Sequence, residues 1–461
     1  MKFKCDRDVL RETTAYLSKY TTRLGINEAL KCIHMTLEGD NLRLQSISGV
    51  VFIGVTTSVE GTEDGSVLVS GGMLSTSIAT LGDGDIAVSS KKKWLIIKRG
   101  KQTRRIAIQD AEGFPLAPKT GEDVVVTVNS DELLESMKCV GFARSETLVQ
   151  PIMRGYYMDL ADSGMIITAD GQRAAFSETG IKSKGSLVVA PEGIEALRGA
   201  LGLSIVNVDD ITIHTTHPGW IKITAGPVDL RIASISGAFP AQAINMLHKL
   251  KSQEGGTSVY LSKHTMAPIV AMACSLAMVA TKTQASGAVL LTTSEGSITF
   301  SMDVSDAGGM DDTLDVEIVG SDVIVKLHPE QLQQALQSSP EDTVEMKIWG
   351  PVSPVLLQSG DWSVIQAPMG DRDVAEEWER RKQVEQGEQK VEVEGAKESI
   401  TPFDTPKEKV YEQIPLPTVS KEEAIEQLSS SIKEMAREAK MKPISKEELP
   451  DDEPDWGDDE W

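Results

Sequence analysis

The sequence predicts an α+β chain of three similar domains, and three observations carry that expectation. A strand-helix opening occurs three times, a second strand-helix unit follows inside each copy, and each copy closes on a comparable turn. The openings are MKFKCDRDVLRETTAYLSKY from Met1, VVVTVNSDELLESMKCVGFA from Val124 and TSVYLSKHTMAPIVAMACSL from Thr257. In each, alternating apolar residues predict a short strand, and apolar residues at 3–4 spacing predict a helix. Asp6, Ser130 and Ser262 stand at the strand ends, where a short polar side chain caps the helix that follows.

The second units are SVLVSGGMLSTSIATL, SLVVAPEGIEALRGAL and VIVKLHPEQLQQALQS, each reading strand, polar turn, amphipathic helix. Strands rich in Val, Ile and Thr surround them, divided by turns such as Glu38-Gly39-Asp40 and Ser294-Glu295-Gly296. The copies end at Glu112-Gly113-Phe114-Pro115, Gly237-Ala238-Phe239-Pro240 and Ala367-Pro368. Expected domains are therefore 1–120, 121–250 and 251–370, with TGED and SQEGG as linkers. From 371 to 461 the chain is charge-rich, poor in β-branched residues and punctuated by Pro402, Pro406, Pro415, Pro417, Pro443, Pro450 and Pro454. That composition predicts an acidic, largely disordered tail. Within it, Ile425, Leu428, Ile432 and Met435 suit a transient helix over Lys421 to Lys440, and Trp456 and Trp461 mark its acidic tip.

Net charge is −23 over 461 residues, and the tail holds 27 acids against 14 bases. The body remains acidic, so any contact with nucleic acid has to use a local basic surface. The opening MKFKCDRDVL is charged where a signal peptide is apolar, and no apolar run approaches the ~18 residues of a membrane span. Cys5, Cys32, Cys139 and Cys274 are far apart and contain no C-x-x-C pair, which predicts reduced thiols in a cytoplasmic protein.

Catalytic signatures are missing from the sequence. It holds no phosphate-binding G-x-x-x-x-G-K-[ST], no G-x-G-x-x-G opening a helix and no H-E-x-x-H. His214 and His217 have no third ligand near them in sequence, and Gly82-Asp83-Gly84-Asp85 lacks the later ligands of a calcium loop. No cofactor and no metal site are expected. An enzyme whose groups meet only in space is one alternative reading.

Against this background, Thr168-Ala169-Asp170-Gly171-Gln172-Arg173-Ala174-Ala175 resembles the ATDGHRLA-type signature of the bacterial DNA polymerase III beta subunit, the sliding-clamp family. Ser145-Glu146-Thr147 through Pro151-Ile152-Met153-Arg154-Gly155 is similar to its E-T-R-P-I-L-x-G segment. Gly237-Ala238-Phe239-Pro240 matches its G-R-F-P turn, and Ile365 to Met369 resembles its closing V-I-M-P-M. The resemblance covers about residues 1 to 369 and implies three clamp domains per chain. It further implies two chains in a head-to-tail ring, helices inside and sheets outside, that holds a polymerase on DNA and performs no chemistry.

The same resemblance implies three surfaces. DNA-facing cations are expected at Lys19, Arg23, Lys138, Arg144, Arg154 and Arg198, contacting phosphate of double-stranded DNA without base readout. A pocket for DNA polymerase and clamp-loader peptides is expected at Met153, Gly171, Arg173, Ala174, Pro240, Met246, Val352, Ile365, Pro368 and Met369. Gln172 departs there from the family His, and Ala174 from a larger apolar residue, which implies a reshaped pocket. Homodimer closure is expected between the basic hairpin ending in Arg104, Arg105, Ile106 and Ile108 and acids of domain three, Asp311 and Asp312 with Asp303, Asp306 and Asp315 nearby. The remaining alternative is a clamp-fold interaction protein whose acidic tail recruits partners.

Overall fold

The structure is a computed structural model. It describes residues 1–381 apart from 23–26, 111–112, 120–125, 148–149, 162, 184, 218, 284–286, 305–307 and 371–372. Arg23, Asp306, the TGED segment, the Lys421 to Lys440 helix, Trp456 and Trp461 lie outside the described residues.

The first repeat contains β1 (Lys2–Asp6), α1 (Arg7–Lys19), β2 (Cys32–Glu38), β3 (Asn41–Ser48), β4 (Val51–Ser58), β5 (Glu60–Glu63), β6 (Gly65–Ser70), α2 (Gly71–Ala79), β7 (Asp85–Lys91), β8 (Trp94–Arg99) and β9 (Gln102–Gln109). The second contains β10 (Val126–Asn129), α3 (Ser130–Val140), β11 (Tyr156–Asp159), β12 (Met165–Ala169), β13 (Arg173–Glu178), β14 (Ser186–Val189), α4 (Pro191–Leu201), β15 (Asp210–His217), β16 (Trp220–Ala225) and β17 (Val228–Ala233). A connecting helix, α5 (Ala241–Ser252), follows. The third contains β18 (Thr257–Ser262), α6 (Lys263–Thr283), β19 (Val289–Ser294), β20 (Ser297–Val304), β21 (Gly308–Asp315), β22 (Glu317–Val319), β23 (Ile324–Leu327), α7 (Pro329–Ser338), β24 (Thr343–Ile348), β25 (Val355–Ser359) and β26 (Trp362–Gln366).

The six expected strand-helix units are β1-α1, β6-α2, β10-α3, β14-α4, β18-α6 and β23-α7. Helix α1 is capped by Asp6, whose carboxylate accepts from the backbone N–H of Asp8 at 2.7 Å and Val9 at 3.1 Å. Two caps differ from expectation. Ser130 is already helical, and the side chain of Asn129 accepts the free N–H groups of Asp131 and Glu132 at 3.1 Å each. Ser262 instead donates its hydroxyl to Asp342 at 2.8 Å. Helix α5 lies outside the two-unit pattern.

The sheets run across the repeats. Strands β10-β15-β16-β17 of the second repeat continue into β4-β3-β2-β6 and then β9-β8-β7-β1-β5 of the first. A second sheet, β14-β11-β12-β13-β26-β25-β24-β18-β22, joins the second repeat to the third, and β21-β20-β19-β23 completes the third. The two junctions are antiparallel pairings, β4 with β17 and β13 with β26. The helices of the strand-helix units pack together, α1 on α2, α6 on α7 and α3 on α7, whereas α5 packs on the other face of β12 and β13, over Ile167 and Phe176. The α1–α4 contact includes the Tyr16 hydroxyl, which donates to the Ala196 carbonyl at 2.7 Å.

The body does not stop at 370, where the tail was expected to begin. Residues 373–381 are helical, and Val374 and Trp378 are buried in the main apolar core. An indole and a valine removed from water stabilise that docking by several kcal/mol, roughly 1.5–3 each. The expected tail therefore starts with an anchored helix, because the tail's average composition conceals two apolar residues four apart.

Candidate functional site

The second sheet junction carries an apolar cavity of ≈270 Å³. Strand β13 leaves the tight turn Asp170-Gly171-Gln172, in which Gly171 has φ +96°, a conformation that a side chain disfavours. The Asp170 carboxylate accepts from the backbone N–H of Gln172 at 2.9 Å and of Arg173 at 3.0 Å, holding the turn. Ala174 then pairs with Ile365 of β26, and Ala367 N–H donates to the Gln172 carbonyl at 2.9 Å. Across the opening, the Gly237 to Pro240 turn starts α5, which brings Pro240, Ala243 and Met246 to the rim. Beneath lies a core of its own, including Met165, Ile167, Phe176, Leu247 and Leu356. Tyr157 and Phe239 stack beside it at 4.6 Å.

Arg173 fixes this geometry. Its guanidinium donates to Asp170 at 2.9 Å, to Gln334 of α7 at 2.7 Å and to the Phe142 carbonyl at 2.9 Å, and lies over the Phe142 ring. One half-buried cation thus ties the second repeat to the third. Gln172 adds a bond from Gln331 at 2.6 Å.

Of the residues expected in this pocket, Met153, Gly171, Arg173, Ala174, Pro240, Met246 and Ile365 line the cavity. Val352, Pro368 and Met369 do not. Val352 is 69% exposed on the loop before β25, and its place is taken by Pro354 two residues on. Pro368 and Met369 pass the rim half-buried as the chain returns, Met369 N–H donating to Lys326 O at 2.8 Å, while Ala367 does the lining. Sequence reading missed Ala169, Gln242, Ala243, Pro354 and Ala367. Small residues carry no pattern signal, although their lack of side-chain volume is what leaves the space.

A larger polar cavity of ≈830 Å³ adjoins this one through Gln172 and Arg173 and brings in Arg144 and Arg154. Arg144 donates to the carbonyls of Gly141 at 3.0 Å and Arg154 at 3.4 Å and lies over the Tyr156 ring. It has no carboxylate partner among the described residues. The other expected DNA-facing cations sit on the helix layer. Lys138 pairs with Glu135 at 3.0 Å, Arg198 with Glu195 at 3.7 Å, and Arg154 with Glu192 at 3.7 Å. Lys19 is exposed in the last turn of α1.

Among the strand edges left open in the described residues, two lie on the first and third repeats and carry opposite charge. Strand β9 pairs with β6 only through Ile108 and Gln109, which leaves its Gln102–Ile106 flank unpaired, and β21 ends its sheet. Alternation along β9 separates residues expected to act together. Arg105 faces solvent, whereas Arg104 turns to the helix side and donates to the carbonyl and hydroxyl of Thr80 at the end of α2. Ile106 is buried in the core at 3% exposure and Ile108 packs half-buried against it, so neither supplies an exposed apolar strip. Asp311 and Asp312 are exposed on β21 and, being adjacent, also point to opposite faces. The exposed apolar residues near these edges are Met73 on α2 and Met272, Met278 and Val279 on α6.

Residues 1–118 match the family described as DNA polymerase III beta subunit, N-terminal domain. A beta sliding clamp of Helicobacter pylori is 20% identical over 182 residues, 39% of this chain and 49% of the relative, so the alignment spans about half the length of that curated protein. The DNA polymerase III beta subunit of Thermotoga maritima superposes with a TM-score of 0.70 at 17% identity, over 80% of this chain and 99% of the other. The beta subunit of Streptococcus pyogenes gives 0.72 at 18% identity, over 80% and 100%. At such identities the structural likeness establishes the fold, and the sequence match to the family is confined to the first repeat. Residues 1–118 thus match a DNA polymerase III beta subunit domain, and the chain has the fold of the solved beta subunits.

Proposed function

We propose that this chain is a DNA sliding clamp, a non-catalytic processivity factor of DNA replication that encircles duplex DNA and tethers a polymerase. The observation that carries the reading is the pair of open edges of opposite charge, Arg105-bearing β9 and Asp311-bearing β21, on the first and third repeats of one chain. Unlike edges of this kind join head to tail, and two copies close when the rotation allows. Alternation keeps both charge pairings in step, since Arg105 and Asp311 are positioned for one face of the joined sheet and Arg104 and Asp312 for the other. The apolar part of the contact falls to Met73 of one subunit and Met278 and Val279 of the next. Rim charges of this type set register and association rate more than affinity.

In this reading the domains are 1–120, 121–250 and 251–370, and the protein works in the cytoplasm. The helix layer faces DNA through Lys19, Arg23, Lys138, Arg144, Arg154 and Arg198. The acids beside three of these cations weaken phosphate attraction, which suits sliding better than tight holding. The apolar pocket takes anchor side chains of an extended polymerase or clamp-loader peptide. Retention on nicked circular DNA in high salt, with release on linearisation, is the expected result. Salt-induced loss from both DNA forms points to ordinary electrostatic binding and removes the clamp reading.

A further inference from the structure

The outer face of the first repeat carries chemistry that encirclement does not use. In the antiparallel sheet β1-β7-β8-β9, paired residues share a side. One side presents Phe3, Val88 and Ile97 in register, all buried. On the other, cross-strand register sets Lys91 beside Trp94, and Ile96, Lys2, Lys4 and Lys98 complete the surround. All four lysines are exposed, and none is ion-paired among the described residues. Trp94 is 48% exposed and Ile96 half-buried. Glu60 and Glu63 of β5, opposite Lys4 and Lys2, form the border.

Folding explains only part of this arrangement, since Lys4 and Lys2 face Glu60 and Glu63 whereas Lys91 and Lys98 stand opposite Trp94 and Ala87. Neighbouring like charges on a sheet face repel, and a half-exposed indole forgoes burial it would otherwise gain. In a chain of net charge −23, such a gathering of unpaired cations is complementary to a polyanion. An open sheet face with a half-exposed ring is a surface on which bases stack, whereas an acidic peptide would draw on the charges and gain little from a ring without a pocket. We propose that this face binds single-stranded nucleic acid. Lys2, Lys4, Lys91 and Lys98 contact phosphates, one base stacks on Trp94, and Ile96 supplies the apolar floor. Four strands span about 14 Å, room for roughly two or three nucleotides. The site lies on the far side of the sheet from α1 and α2, so it is separate from the DNA-facing helix layer. Stacking on an indole is sequence-tolerant, so no strong base preference is expected.

The test is fluorescence anisotropy of a labelled oligo-dT of about 12 nucleotides titrated with the full chain at several salt concentrations. Trp94→Ala is expected to weaken binding at least about fivefold, and the double variant Lys91→Gln, Lys98→Gln to weaken it and flatten its salt dependence. Unfolding midpoints of these surface variants and loading of Trp94→Ala on nicked circles should match the parent. Oligonucleotide affinity that ignores Trp94→Ala, or that is lost in Lys138→Glu with Arg198→Glu instead, overturns the proposal. Displacement of the oligonucleotide by an acidic peptide of equal charge, at equal concentration, also overturns it in favour of a protein partner. A chain that fails to stay on circles yet binds oligo-dT through Trp94 upholds this site while removing the clamp reading.

Discussion

The two sheet junctions use the same device, an antiparallel strand pair between repeats, and end as opposite kinds of surface. At the first, β4 and β17 bring together Val51, Phe52, Ile53, Val55, Val228, Leu230 and Ile232, all buried. Helix α4 presses down so closely that a Cβ on Gly193 would stand 2.5 Å from Ile232, and one on Gly199 would stand 2.8 Å from the Tyr16 ring. Arg231, paired with Asp229 at 2.7 Å and placed over Phe52, seals the polar side. At the second, Ala169, Ala174, Ala243 and Ala367 stand where bulk would close the gap, and the result is the ≈270 Å³ cavity. Strand pairing holds the repeats together in both places, and side-chain volume above the pair decides whether the junction is closed or keeps a cavity.

Four substitutions break or sharpen that contrast. Leu230→Ala at the closed junction should have the largest effect on stability, about 2–5 kcal/mol, read as a fall in the denaturant midpoint. Arg173→Ala at the open one should cost about 1–3 kcal/mol by leaving Gln334 and the Phe142 carbonyl without their donor. Limited proteolysis should then cut first near the second junction, and a first cut elsewhere would argue against a stapling role. Ala243→Phe should leave the unfolding midpoint within a few degrees, since Ala243 is only half-buried, and weaken a fluorescent Q-L-x-L-F-type peptide at least about tenfold. Unchanged peptide affinity would place that site elsewhere.

The smallest effect concerns acid. The Glu12 carboxyl is held below its usual value by hydrogen bonds from Ser204, across the α1–α4 contact. A carboxyl depressed in the folded state contributes stability above the unfolded pKa and loses it as pH falls through the folded one. The midpoint difference between parent and Glu12→Gln should therefore be small at neutral pH and vanish in acid. A difference that grows on acidification would contradict the sign.

Closure admits an equally direct check by light scattering. Arg105→Glu with Met73→Asp should lower the solution mass toward one chain, because the first reverses a rim charge and the second places a carboxylate in the apolar contact. A dimer that survives both would move the interface away from β9.

Much of this molecule was legible because its signals are periodic. All six strand-helix units, and the turn that carries Gly171 and Arg173, follow from alternation, 3–4 spacing and turn chemistry in named segments. Most of the pocket was reached through the TADGQRAA and GAFP stretches, which lie in sequence where the cavity later forms. What escaped has a common cause. Alanines such as Ala169 and Ala367 matter by what they omit, which no pattern records. Arg104 and Arg105 read as one basic pair until strand alternation put them on opposite faces. Trp378 looked like part of a solvated tail until it was found docked in the core.

The sequence by itself determined the three-fold repetition, the order of strands and helices and the concentration of acid in the last ninety or so residues, since local periodicity and charge need no partner to be read. Only the tertiary structure decided which junction is sealed and which is open, which strand edges lack a neighbour and which lysines gather around Trp94. Those properties depend on distance between residues far apart in the chain, and distance is set by packing.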